Sequence, residues 1–256
     1  MGKIVSIHSF RGGTGKSNIS ANITTWCAMQ GARVGVIDTD IQSPGVHVIF
    51  GLGGKKISPT LNDYLYHKCE IEECAQDITN QLGIKKGKVY IIPSSMEAEE
   101  IAKVLKEGYE ISTLNQGFGE LLEKLNLDFL IIDTHPGLEE ETLLTTAISD
   151  ILLVILRPDE QDYLGTAVTL EVAKKLEVPS IYLILNKVLE EYDFKEMKKE
   201  AEKAYGVKVA GILPFSEDLM KAGSKELFVL TLPEHKFSKE IAKIGEVLIN
   251  NKYIEK

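Results

Sequence analysis

The sequence predicts an α/β fold: a doubly wound, mostly parallel sheet with helices on both faces. Three observations predict it. Short β-rich apolar runs recur along the chain, longer segments of helical periodicity lie between them, and several runs are apolar at successive residues. Alternating strand and helix gives a parallel sheet wrapped by helices. A strand that is apolar without alternation is one covered on both sides.

The strand runs fall at residues 4–8, 34–37, 89–92, 129–132, 151–156, 181–185 and 207–213. The helical segments fall at 17–29, 114–125, 140–148, 164–176, 194–205 and 238–249. In the last helix Phe237, Ile241, Ile244 and Leu248 share one face, with Lys239, Glu240, Lys243 and Glu246 elsewhere. That mixture of charges reads as a core helix and not as a basic membrane-targeting one. Residues 250–256 are then too few for a second anchoring helix. No linker, repeat or low-complexity block divides the chain, so residues 1–256 form a single domain. Segment 51–88 is the least regular and is expected to be peripheral.

The 256 residues are 44% hydrophobic and 26% charged, enough for a sizeable core. A net charge of −9 argues against strong intrinsic binding to DNA or anionic lipid, though a local basic patch is allowed. Arginine stands only at 11, 33 and 157, and richness in Lys and Glu is a thermophilic composition. The cysteines, Cys27, Cys69 and Cys74, lack Cys-x-x-Cys spacing and read as thiols of a reducing cytoplasm. There is no signal-peptide pattern and no apolar stretch of membrane-spanning length.

Run 4–8 passes straight into Phe10-Arg11-Gly12-Gly13-Thr14-Gly15-Lys16-Ser17, and a helix follows. A phosphate chain needs backbone N–H groups turned inward, and glycine makes that turn without a Cβ clash. The positive end of the helix faces the same anion. In such a loop Lys16 reaches the β- and γ-phosphates and the Ser17 hydroxyl ligates Mg²⁺. Gly12, Gly13, Thr14, Gly15, Lys16 and Ser17 are therefore candidate nucleotide contacts. The strict phosphate-loop pattern has glycine where this chain has Phe10.

What stands here resembles the deviant loop of the MinD/ParA family, basic-Gly-Gly-x-Gly-Lys-Ser/Thr. The resemblance runs from Lys3 to about Ile249. It implies the three-layer P-loop NTPase fold, ATP and Mg²⁺ as cofactors, and an ATP-dependent homodimer. In the family the basic residue is usually lysine and reaches the partner subunit's nucleotide. Here it is Arg11, for which a salt bridge at the loop entrance is the competing reading. Asn18 replaces a common threonine, and its amide can still donate to an α-phosphate oxygen.

After the second run come Asp38-Thr39-Asp40-Ile41-Gln42-Ser43-Pro44-Gly45. Carboxylates two residues apart project to one side of an extended segment. Alone, they also fit a turn in which Asp merely caps Ser-Pro-Gly. Their spacing resembles the family's switch I, which implies that Asp40 positions the attacking water and Asp38 supports the loop and metal waters. Asp133 ends a buried apolar strand, which is costly unless it binds something, and a Mg²⁺-bound water is the expected partner. His135 departs from the family's switch II, and we read it as a packing or hydrogen-bonding residue. By resemblance, Asn186 and the turn at Pro214 recognise the two adenine edges.

The resemblance thus implies a Mg-dependent ATP hydrolase switching as a dimer in spatial organisation or partitioning. Arg11, Lys16 and Asp40 serve catalysis, and Ser17 and Asp133 serve the metal. A partner protein or cargo is implied but not identified. Two alternatives stand beside it. One is an ATP-binding regulatory or scaffold protein with negligible turnover, left open by Arg11 in place of lysine. The other is Mrp-like iron–sulfur carriage, whose switch I Ser43-Pro44-Gly45 resembles. Carriage needs soft thiolates, usually a Cys-x-x-Cys pair near the C-terminus, and here the close cysteines are Cys69 and Cys74.

Overall fold

The computed structural model describes residues 2–54 and 57–251, so the tail at 252–256 lies outside the described residues. The elements are β1 (Lys3–His8), α1 (Lys16–Met29), β2 (Arg33–Asp38), α2 (Val46–Ile49), α3 (Leu61–Leu65), β3 (Gln76–Asp77), β4 (Lys88–Ile92), α4 (Ala98–Glu107), α5 (Ile111–Lys124) and β5 (Phe129–Asp133). They continue with α6 (Glu140–Ala147), β6 (Ile151–Leu156), α7 (Glu160–Lys175), β7 (Ser180–Val188), α8 (Phe194–Tyr205), β8 (Lys208–Pro214), α9 (Glu217–Ala222), α10 (Phe228–Thr231) and α11 (Lys236–Asn251). The strands form one sheet in the order β3-β4-β2-β5-β1-β6-β7-β8. Among the described residues only the short edge pair β3–β4 is antiparallel.

Side chains alternate between the two faces of the sheet, and both faces are covered. Val5 and Ile7 of β1, Ile131 of β5 and Leu153 of β6 pack with Ile19 and Ile23 of α1 and with Ile241, Ile244 and Leu248 of α11. Their neighbours Leu130 and Ile132 turn the other way, onto Leu114, Phe118 and Leu121 of α5. Leu152, Val154 and Leu156 meet Leu170 and Ala173 of α7 on that same side. This two-sided burial is why the central runs carry no polar alternation. Each such side chain contributes roughly 1.5–3 kcal/mol by leaving water.

All seven sequence-predicted strands are present, and β1 is the point from which the chain winds both ways. β2, β4 and β5 lie to one side of it and β6 to β8 to the other. Ligands of open parallel sheets bind beyond the carboxyl ends of the strands at such a point. Among the described residues no helix is long and apolar enough to cross a membrane.

Segment 51–88 needs correction. It carries α3, a 3₁₀ turn at Ile71–Cys74 and β3, and Leu61, Ile71 and Cys74 are fully buried beside Phe118 and Ile132. Elements of two to five residues are too short to display a period, so their apolar residues look scattered in the sequence. Helix α4 is not among the predicted segments, although Ala98, Ile101, Val104 and Leu105 stand at helical spacing; of these only Val104 is buried, so the stripe covers little of the core.

Candidate functional site

The loop between β1 and α1 folds as its glycines dictate. Gly13 and Gly15 have φ of +74° and +98°, the left-handed region where a side chain is strained. A Cβ on Gly15 would also lie 2.6 Å from Asn186 Nδ2. Gly15 is the N-cap of α1, and no side chain caps the helix there, which leaves its first N–H groups for an anion. Lys16 lies at the floor of the loop, 8% exposed, its Nζ donating to Ser9 Oγ at 3.2 Å. Burial lowers the Lys16 pKa, while Asp133, Asp40 and Asp38 raise it.

Asp38 and Asp133 end neighbouring strands and are paired in register. Both are buried. Asp38 Oδ2 accepts from the N–H groups of Gly45 at 2.8 Å and Val46 at 3.1 Å, and its Oδ1 from Asp40 N–H at 3.2 Å. It thereby braces the turn that carries Asp40. Asp133 Oδ1 accepts from Ser20 Oγ at 3.0 Å. Burial pushes Asp133 up to about 6, opposed by the hydroxyls of Ser17 and Ser20 and by the Lys16 ammonium. Asp38 is held well above the usual carboxylate range by burial and by Asp133. A buried carboxylate beside a serine hydroxyl at a helix N-terminus is an all-oxygen donor set, and it fits Mg²⁺.

Asp40 stands at the rim, where His135 Nδ1 lies 2.9 Å from its Oδ1. His8, buried below, has its Nδ1 2.9 Å from Thr134 Oγ1. Burial, helped by Lys16 and His135, lowers the His8 pKa to about 3, so the ring is neutral.

Other predicted residues lie around the same loop with partners of their own. Asn186 Nδ2 donates to the Thr14 carbonyl at 2.7 Å, and Lys187 Nζ to the Gly13 carbonyl at 2.8 Å. A register shift in β7 between Leu185 and Val188 aims both at the loop. Asn18 Nδ2 donates to Ser224 Oγ at 3.0 Å. Arg11 lies 3.7 Å from Asp159 and 3.8 Å from Asp162, at the start of α7. Pro214 ends β8, and the next residue's N–H donates to the Val188 carbonyl at 2.7 Å.

Sequence reasoning missed Ser9, Ser20, Lys187 and the acidic pair Asp159 and Asp162. Ser20 alone had a legible signal: it follows Lys16 by one helical turn, facing the same strand end.

A loop of this shape at the switch point of such a sheet defines a nucleotide-binding P-loop protein. The profile of the CobQ/CobB/MinD/ParA nucleotide binding domain matches residues 5–229, and the chain belongs to that family. An uncharacterized ATP-binding protein of Methanocaldococcus jannaschii is 29% identical over 97% of this chain and 88% of its own. An iron-sulfur cluster carrier protein of Pyrococcus furiosus is 26% identical over 96% and 85%. The fold matches the cell division ATPase MinD of P. furiosus, with a TM-score of 0.81 and 23% identity over 98% of this chain and 99% of that one. It also matches the septum site-determining protein MinD of Pyrococcus horikoshii, solved with Mg-ADP, with a TM-score of 0.80 and 22% identity over 100% of both chains.

Proposed function

We propose that the chain is a cytoplasmic, magnesium-dependent ATPase that works as an ATP-switched homodimer in spatial organisation or partitioning. The observation that carries this reading is the convergence of one buried ammonium, Lys16, with Asp38, Asp40 and Asp133 beneath an uncapped helix N-terminus. A fold needs no such cluster for itself, since burying those charges costs stability. Gly12 to Lys16 would cradle the β- and γ-phosphates. Ser17 and Asp133 would hold Mg²⁺, which when bound neutralises phosphate charge. Asp40 would orient the attacking water, and Arg11 would reach a second subunit's nucleotide.

The dimer reading has support at the surface. Phe10 packs over Gly165 and is 37% exposed, and Leu164 and Val168 beside it on α7 are 66% and 49% exposed. The test is phosphate release and light scattering with Mg-ATP. Asp40→Ala should bind ATP, release at least about tenfold less phosphate, and accumulate at twice the monomer mass. Wild-type turnover by Asp40→Ala would make Asp40 only a turn residue.

Relatives named iron-sulfur cluster carriers favour a second reading. The thiols that would serve it are Cys69 and Cys74, with sulfurs 3.5 Å apart. It ranks second because Cys74 Sγ is engaged by the Thr60 carbonyl and Cys27 is fully buried, its thiol pushed up to about 12. Anaerobic reconstitution with iron and sulfide, followed by a visible spectrum that Cys69→Ser abolishes, would promote it.

A further inference from the structure

We propose that His135 is a positioning residue for hydrolysis: it engages one oxygen of Asp40 so that the other is left for the attacking water. This rests on the ATPase reading above. Asp40 lies beyond the end of β2 on a turn, where a side chain has rotational freedom. Its Oδ1 accepts from the Ser43 N–H at 3.2 Å and is 2.9 Å from His135 Nδ1. Among the described residues no hydrogen bond reaches its Oδ2. A carboxylate can only accept, so this contact assigns the proton to Nδ1 of His135. Both side chains are about one-fifth exposed, which keeps the second oxygen open to solvent.

The imidazole is itself held in place. Thr134 Oγ1 donates to the Ile7 carbonyl at 3.0 Å and meets His8 Nδ1 at 2.9 Å. The Gly137 N–H donates to the Ser9 carbonyl at 3.2 Å. Bonds on both sides of His135 thus fix its backbone to β1 and the phosphate loop. The chain that binds phosphate and the carboxylate that orients water are joined through one ring. A phosphoryl-transfer site works by such positioning, and a misplacement of about an ångström costs on the order of 100-fold. A packing role alone would not need a nitrogen at hydrogen-bond distance from Asp40.

The experiment compares wild type with His135→Ala, His135→Asn, His135→Gln, Asp40→Ala, Lys16→Ala and the Asp40→Ala/His135→Ala pair. Phosphate release gives kcat, and calorimetry with Mg-ADP and a non-hydrolysable ATP analogue gives affinity. His135→Ala should lose about 10- to 100-fold in kcat with affinity unchanged within about twofold. His135→Asn, whose amide N–H can stand where Nδ1–H does, should recover most of the loss, and His135→Gln less. Adding His135→Ala to Asp40→Ala should cost nothing further, because groups acting as a unit are not additive. Thermal melting checks that each variant folds; if His135→Ala does not, the Asn and Gln pair carries the comparison. Wild-type kcat in His135→Ala, equal loss in Asn and Gln, or an additive double variant overturns the role of His135 and leaves the ATPase reading standing. Wild-type protein releasing no more phosphate than Lys16→Ala overturns both.

Discussion

A lysine ammonium at 8% exposure, with a serine hydroxyl as its hydrogen-bond partner, has given up much of its hydration. The triphosphate chain is the ligand that would replace it, so Lys16→Ala should abolish measurable Mg-ATP binding in calorimetry while leaving the fold intact. Tight binding by that variant would sink the phosphate-loop assignment. The buried carboxylates give a pH signature. Asp133 titrates near 6 in the folded chain, against roughly 4 unfolded. The folded state therefore holds its proton more tightly than the unfolded state. In magnesium-free buffer, stability should fall as pH rises from about 4 through about 6. Asp133→Asn should flatten that part of the profile and raise the unfolding free energy from urea denaturation at pH 7 by on the order of 1–3 kcal/mol. A variant profile parallel to wild type would show that Asp133 is not strained by its charge. Lys16 and Asp133 were legible because a P-loop lysine and a strand-end aspartate each sit in a recognisable local string. Lys187 was not, because it meets the loop only through tertiary structure, and Ser9, though it stands in the loop itself, belongs to no recognisable string.

At the scale of an element, α11 shows how a terminal amphipathic helix is told from a membrane anchor. Its Ile241, Ile244 and Leu248 are fully buried against the sheet and α1. Phe237 meets Phe228 edge-on, with ring centroids 6.1 Å apart. Gly245 lets the helix approach α1 closely: a Cβ there would lie 2.1 Å from the Trp26 ring. Gly245→Ala should then cost about 1–3 kcal/mol by overpacking. Trp26 is the chain's one tryptophan, so its fluorescence reports both the transition and any change in its surroundings. An unchanged urea midpoint would mean that α11 is docked more loosely than the contact implies. The apolar stripe of α11 was plain in the sequence, but the need for glycine beneath Trp26 was not, since the two lie far apart along the chain.

For the whole molecule, the question is whether Arg11 serves its own subunit or another. It is 41% exposed, and its pairs with Asp159 and Asp162, at 3.7 and 3.8 Å, are loose. The exposed pair with Asp159 contributes roughly 0–1 kcal/mol and exchanges readily for a phosphate, while buried Asp162 is already held by Arg157 at 3.0 Å. Arginine's planar fork can bind phosphate oxygens bidentately, and neither acidic partner now engages it at hydrogen-bond distance. Arg11→Ala should bind ATP as wild type does but turn over at least about tenfold more slowly and dimerise poorly. Arg11→Lys should keep part of both. Mixing Arg11→Ala with Asp40→Ala should restore hydrolysis, because one mixed site has an intact Asp40 facing an intact Arg11. Absence of recovery in proven mixed dimers would place Arg11 at its own subunit's site.

By itself the sequence determined the strand–helix alternation, the seven longer strands and the phosphate loop, because each is written in neighbouring residues. Short, β-rich continuous apolar runs alternating with helical segments read as strands buried on two faces, and Gly-Gly-Thr-Gly-Lys-Ser between strand and helix has few other uses. Tertiary structure alone decided what holds that loop. Asn186 and Lys187 reach the Thr14 and Gly13 carbonyls from β7, His135 meets Asp40 across two strand ends, and Arg11 faces the start of α7. It likewise placed Leu61, Ile71 and Cys74 in the core. The physical reason is one of distance along the chain. A local pattern records backbone geometry and burial period, whereas a hydrogen bond between residues some hundred positions apart leaves no mark until the sheet order brings its partners together.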